Sequence, residues 1–485
     1  MARCLDSTRA PPTVDVVLPA VSTRLALLWE LRPGLAGSER GRPSLDTTAR
    51  SRYPPSRVLR HLHLTNVGPA AEMVADLAPR LNLITGDNGL GKSFLLDIAW
   101  WALTRTWPAK VNSRLVSGLM ARPRGPGKAT IEFGFDGAKR LKRYVSEFDR
   151  QAQAWVGSPG RPANPGLVLY AQVDGSFSLW DPARNYWRTT GNVDVSERRP
   201  AYVFNPREVW EGLRADDGAQ LCNGLLADWA LWQKENGEAF SWLGDVLRVL
   251  SPPGAELRPG ALVRLGLDDV RDIPTIRMPY GLDVPVVHAS AGIRRILALS
   301  YLLVWSWQEH GRASQQLDQP SAHQVIFLID EIEAHLHPRW QRRIVKPLLD
   351  IVESLAEQAS VQIISATQSP LVPASMEPLF DPERDAWFDL DLTLDEAQPH
   401  VVLQRRPFVR RGDVASWLTS EAFDLKEARS LEAEVAIQQA LALLRGELPR
   451  AEAPRIDAEL RSTLGEQDRF WIRWSAFLES LQGVA

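Results

Sequence analysis

The strongest chemical signal in this chain of 485 residues is one unbroken run. Gly86, Asp87, Asn88, Gly89, Leu90, Gly91, Lys92 and Ser93 fit the spacing G-x-x-x-x-G-K-[ST] at every position. Glycines at those places let the backbone curl so that successive N–H groups and the start of the next helix point at a polyphosphate, where donors and helix dipole both favour negative charge. Lys92 then reaches the outer phosphates, and the Ser93 hydroxyl helps to hold Mg²⁺. Lysine is scarce, eight among 56 basic residues, so its presence where the spacing demands it is informative. A second signal is Val325-Ile326-Phe327-Leu328-Ile329 followed by Asp330 and Glu331. Five apolar residues ending in two carboxylates have the form of a buried parallel strand whose C-terminal end meets a ligand. The chain turns there, so both carboxylates can approach one nucleotide. Asp330 would bind Mg²⁺ through its shell, and Glu331 would orient and deprotonate an attacking water. A third signal is His288-Ala289-Ser290-Ala291-Gly292, which opens an apolar helix with a small hydroxyl residue and a glycine. Alone it is an ordinary N-cap; its place between the other two motifs gives it weight as an anion-binding helix start.

These residues need strands and helices to hold them. Val58 to Leu64 and Leu81 to Thr85 read as two strands before the first motif, and Phe94 to Thr104, apolar on nearly every side, reads as a helix buried between layers. Strand-like pieces at Ala129 to Phe135, Gly166 to Ala171 and Ser176 to Trp180, then helices at about 220 to 250, suggest an inserted lobe over 112–286. A hairpin turn is expected at Tyr280 to Asp283. Next come a helix (Ile293 to Gln308), a strand (Val325 to Ile329), a helix (Arg339 to Glu357) and a strand (Val361 to Ser365), an alternation that argues a parallel sheet with helices on its faces. The expected organisation is a proline-rich, weakly structured arm (1–55), a core domain in two halves (56–111 and 287–410) around the lobe, and a helical C-terminal extension (411–485). In that extension Phe470, Trp471, Trp474, Phe477, Leu478 and Leu481 share one helix face, expected to pack on the core domain.

Composition narrows the function classes. Hydrophobic residues at 45% and charged residues at 24% are those of a globular protein, and the net charge of −3 gives no general attraction to nucleic acid or anionic lipid. No apolar run is long enough for a membrane span. Two cysteines, Cys4 and Cys222, cannot build a disulfide framework. The expected setting is the cytoplasm. Basic clusters at Arg122, Arg124 and Lys128, at Lys139, Arg140, Lys142 and Arg143, and at Arg405, Arg406, Arg410 and Arg411 are either solvated faces or phosphate contacts.

Ser290-Ala291-Gly292-x-x-Arg295 resembles the signature motif of ATP-binding-cassette (ABC) ATPases. The whole set is similar to the non-transporter branch of that superfamily, close to the RecF, OLD and SMC-like AAA ATPases of phage-defence and DNA-repair systems. Asp330 to Pro338 resembles that group's Walker B plus D-loop, Thr367-Gln368-Ser369-Pro370 its switch segment, and Gln172 is a candidate for its Q-loop. The resemblance covers 81 to about 372 and implies an α/β P-loop NTPase: an ABC-ATPase-like mixed sheet flanked by helices, with an inserted α+β lobe and a helical C-terminal extension. It implies ATP and Mg²⁺ as cofactors, and Lys92, Glu331 and Gln368 as catalytic residues. Residues 86–93 with Ser290 and Gly292 would hold the nucleotide, and Ser93 and Asp330 the metal. It further implies a head-to-tail homodimer in which the Ser290–Gly292 helix start of one subunit caps the γ-phosphate held by the other, and it explains His335 and His337 as D-loop residues rather than metal ligands. Histidine is usual at the switch position; Gln368 can donate a hydrogen bond there but carries no charge. DNA or RNA and a separate nuclease or effector protein are candidate partners. Competing readings are the ATPase subunit of a membrane transporter, and a nuclease using Asp389-Leu390-Asp391.

Overall fold

The computed structural model describes residues 58–136, 141–157, 164–185, 198–355, 360–394 and 399–482. The N-terminal arm, Lys139 and Arg140 lie outside these residues. In chain order the first strands are β1 (Leu59–Thr65), β2 (Glu72–Asp76), β3 (Leu81–Gly86), β4 (Thr130–Phe135), β5 (Lys142–Asp149), β6 (Ala154–Gly157), β7 (Leu167–Ala171), β8 (Phe177–Trp180) and β9 (Tyr202–Phe204). Short strands β10 (Leu213–Arg214), β11 (Gln220–Cys222), β12 (Arg258–Pro259), β13 (Thr275–Arg277) and β14 (Asp283–Pro285) follow. The last four are β15 (Gln324–Asp330), β16 (Ser360–Ala366), β17 (Asp385–Leu394) and β18 (Pro399–Arg406).

Eight strands form the main sheet in the order β18-β17-β3-β16-β15-β7-β8-β9. From β17 to β7 neighbouring strands run parallel, while β18, β8 and β9 are joined antiparallel at the two edges. The continuous apolar run of β15 is what a strand buried on both faces requires. Val325, Phe327 and Ile329 enter one core and Ile326 and Leu328 the other, all at 2% exposure or less. Burying each such side chain contributes about 1.5–3 kcal/mol relative to leaving it in water.

A second, antiparallel sheet, β2-β1-β4-β5-β6, lies across the P-loop helix (Lys92–Thr104). That helix is buried around most of its circumference because it fills the space between the two sheets. Trp100 meets Tyr170 of β7 at 6.1 Å, and Trp101 stacks on Trp107 at 5.5 Å and meets Phe133 of β4 edge-on. On the opposite face of the main sheet the signature helix (Ala291–Gln316) and the helices Leu225–Glu235 and Glu238–Leu250 complete the other core.

Three expectations need correction. The inserted α+β lobe is narrower than 112–286: β4 to β6 join β1, and β7 to β9 extend the main sheet beside β15, so both sheets take strands from this stretch. The inserted part is the region from the helix Pro206–Glu211 to β14, with the hairpin turn at Met278 to Leu282 where it was expected. The helix expected over Arg339 to Glu357 is broken into Pro338–Gln341 and Val345–Leu355. Pro347 explains the break, since its ring excludes the helical carbonyl four residues earlier and it lacks an N–H, so it is tolerated only in a first turn. Finally, the C-terminal apolar face does not pack on the core domain. Trp474 is fully buried against Ala436, Ile437, Ile456 and Leu460 of the helices Leu431–Leu444 and Ala453–Thr463, a third core of its own.

β7 approaches β15 so closely that Gly166, just before it, has no room for a side chain. Its φ is +82°, and a Cβ would lie 2.2 Å from the Gln324 carbonyl oxygen. Gly166→Ala should therefore lower stability by about 1–3 kcal/mol, seen as a drop of several degrees in the thermal unfolding midpoint. An unchanged midpoint would contradict this packing.

Candidate functional site

The main sheet delivers the C-terminal ends of β3, β16 and β15 side by side. β3 ends at Gly86, and the next turn needs left-handed backbone at Gly86, Gly89 and Gly91, with φ of 129°, 80° and 106°. Gly86 is further confined by the Leu390 carbonyl oxygen, 2.2 Å from where a Cβ would be, and Gly91 by Pro69. Gly91 is the N-cap of the P-loop helix, with no side-chain cap, so the first N–H groups of a 13-residue helix face the turn. Asp87, Asn88, Gly89 and Ser93 are exposed, whereas Lys92 is buried and its Nζ donates to the carbonyls of Gly86 at 2.6 Å and Asp87 at 2.9 Å. Burial lowers the Lys92 pKa, and the carboxylates of Glu331 and Asp330 oppose that shift. The ammonium is thus folded back onto the carbonyls of its own loop.

Asp330 closes β15 at 1% exposure. Glu331 follows in a left-handed conformation, φ 47°, which turns the chain at the end of the strand. The amide Nε2 of Gln368 donates to Glu331 Oε1 in a short contact. The sheet therefore brings Lys92, Ser93, Asp330, Glu331 and Gln368 together as the sequence suggests.

Ser290 and Gly292 lie elsewhere. Ser290 caps the signature helix without a side-chain cap hydrogen bond and is exposed. Both residues line a cleft of about 280 Å³ with Met278, His335, Leu336 and Trp340, and no residue of 86–93 reaches it. Gly292 is pressed against the D-loop of its own chain, where a Cβ would meet the His335 carbonyl oxygen at 2.4 Å. His337 accepts the Arg339 N–H as a helix cap, and among the described residues no three His, Cys, Asp or Glu side chains are grouped to hold a metal. Arg295 of the same motif has a role that spacing does not show. Its guanidinium donates to the carbonyls of Val173 at 2.9 Å, Asp330 at 2.8 Å and Glu331 at 3.0 Å, bolting the signature helix to the end of β15.

Ser93 and Asp330 fit a magnesium ion. Both offer hard oxygen donors, and Asp330 Oδ1 is buried with no hydrogen-bond partner among the described residues. Burial pushes the Asp330 pKa to about 6, the Ser93 hydroxyl opposing it.

Gln172 sits just beyond β7, beside Asp330, but is buried, its amide bonded to Ser117 and Ser178. Asp389 is also buried, accepting from Thr85 at 2.8 Å with Arg406 at 3.7 Å, so the Asp389–Asp391 pair is a packing feature beside β3 rather than an open metal site. Of the basic clusters, Lys128, Arg143 and Arg411 are paired with Glu147, Glu132 and Glu421.

Asp97, one turn beyond Ser93 on the P-loop helix, carries no local sequence signal. It accepts a hydrogen bond from Tyr170 of β7 at 3.0 Å. Burial, helped by the negative charge of Asp330 and Asp174, outweighs that bond and pushes its pKa to about 7. A native pKa above the unfolded one means tighter proton binding in the folded state. The resulting stability is fully present below about pH 4 and is lost as pH rises through 7. Asp97→Asn should accordingly lose less stability than wild type between about pH 5 and pH 8, read as the urea midpoint at each pH. Parallel pH profiles would contradict the shift.

A model of the family described as "AAA domain, putative AbiEii toxin, Type IV TA system" matches residues 81–374. Among solved structures, the SMC head domain from Thermotoga maritima is similar at 15% identity, over 72% of this chain and 99% of that chain, with a TM-score of 0.35. An SmcHead bound to the C-winged helix domain of ScpA is similar at 14% identity, over 72% and 97%, with a TM-score of 0.38. The match to the AAA-domain family runs from the start of β3 through the switch and takes in more than half of the 485 residues, so the chain belongs to that family.

Proposed function

We propose that this chain binds ATP with Mg²⁺ and hydrolyses it in a site completed by a second copy of itself. The observation that carries this reading is the convergence of Lys92, Asp330, Glu331 and Gln368 at the ends of β3, β15 and β16. Lys92 would exchange the Gly86 and Asp87 carbonyls for phosphate oxygens, so that its charge stabilises the transferring group. Glu331, held by Gln368, would orient a water for in-line attack and take its proton. The metal, held by Ser93 and Asp330, would supply further neutralisation of phosphate charge.

Ser290 is exposed and apart from its own P-loop, which favours its use against the nucleotide of a second copy. Closure on ATP and opening after hydrolysis would then be a population shift driven by γ-phosphate contacts. The output would go to a nucleic acid or to a separate nuclease or effector protein, in a cytoplasmic phage-defence or repair setting; the motif resemblance and the family's description as a putative toxin of a Type IV TA system favour that direction. The transporter reading is less favoured by spacing: Ser93 to Ser290 is 197 residues and Ser290 to Asp330 is 40, both long for the compact ATPase subunit of a transporter.

Two variants test the chemistry. Lys92→Ala should lose ATP binding in a calorimetric titration. Glu331→Gln should still bind ATP but release phosphate at least about 100-fold more slowly, as when a general base is removed. Normal binding by the first, or an unchanged rate in the second, would overturn the assignment of that residue.

A further inference from the structure

Glu333 lies three residues past Asp330 and turns its carboxylate to the switch segment. It is 7% exposed, and its Oε1 accepts the backbone N–H groups of Gln368 at 2.5 Å and of Ser369 at 3.1 Å. Its Oε2 is buried and has no hydrogen-bond partner among the described residues. An enclosed carboxylate is costly unless hydrogen bonds compensate. Here the two peptides of the switch supply them, so the loop and the carboxylate fix each other. The bonds Ala334 N–H to Glu331 O and Leu336 N–H to Glu333 O, both 2.9 Å, make the D-loop a tight turn, with left-handed backbone at Glu331 and His335. A continuous path results: Glu333 grips the backbone of Gln368, whose side chain in turn donates to Glu331.

We propose that Glu333 is a positioning residue for hydrolysis, which holds the switch so that the Gln368 amide stays on Glu331. This rests on the ATPase reading above and adds to it a link between D-loop and switch within one chain. Glu333 Oε1 bonds to the backbone of the switch rather than to any residue of 86–93, so its loss should slow turnover and leave nucleotide affinity nearly unchanged.

The test is steady-state ATPase kinetics on the full chain for wild type, Glu333→Ala, Glu333→Gln, Gln368→Ala and the double variant Glu333→Ala/Gln368→Ala. Glu333→Ala should lower kcat at least about tenfold with KM within about threefold of wild type. Glu333→Gln, whose amide oxygen still accepts both N–H groups, should recover most of the rate. The double variant should be no slower than the slower single one, because both act through one contact. If Glu333→Ala does not fold, Glu333→Asp, which withdraws the carboxylate by one methylene, should show the same kcat loss with a normal melting midpoint. Wild-type turnover in the Ala or Asp variant, or multiplicative losses in the double variant, would overturn the positioning role while Glu331→Gln still abolishes activity. A wild-type protein without turnover would overturn the ATPase reading and this proposal with it.

Discussion

The register of β15 between β7 and β16 is the constraint on which the site depends. Ile329 lies opposite Ser365 on one side and Ala171 on the other, and Asp330 lies opposite Ala366. Side chains alternate along a strand, so a slip of one residue would exchange the Phe327 and Leu328 faces and carry Asp330 away from Ser93. The apolar residues that fill both cores are therefore the same ones that set the carboxylates at the strand end. Stability and chemistry share one strand here.

What happens beyond that end is governed by turns. Three left-handed glycines let β3 pass into the P-loop helix beneath Pro69 and Leu390, and the left-handed Glu331 turns the chain at the end of β15. Arg295 spends its guanidinium on three carbonyls at the ends of β7 and β15, so the signature helix cannot shift without disturbing the backbone of Asp330 and Glu331. Gly292 pressed against His335 gives the same helix a second hold on the D-loop. Movement at Ser290 therefore has a mechanical route to the carboxylates within one chain.

Much of this was legible in the sequence because the chemistry sits in contiguous residues. The run 86–93, the apolar strand ending in Asp330-Glu331, and the helix opening at Ser290 each carry their own local requirement, and each element formed where expected. Hidden features depend on long-range pairing. Nothing near Leu167 to Ala171 says that this strand lies beside β15 rather than in a separate lobe. Tyr170 meets Asp97 across 73 positions. Glu333 was visible as a carboxylate near the motif, but its bonds to the switch cross 35 and 36 positions. The C-terminal aromatic face was correctly read as one side of a helix, yet periodicity does not say what covers it, and the cover proved to be two neighbouring helices. Pro347 could have signalled the helix break, since it falls inside the span read as one helix.

The central claim is that ATP joins two copies through the Ser290 helix start, and the most direct measurement is the mass of Glu331→Gln in solution, with and without Mg²⁺-ATP and with and without duplex DNA. The account predicts one chain without nucleotide and two with it, with DNA adding to the ATP-bound species. A mass that stays at one chain under every condition would contradict the composite site.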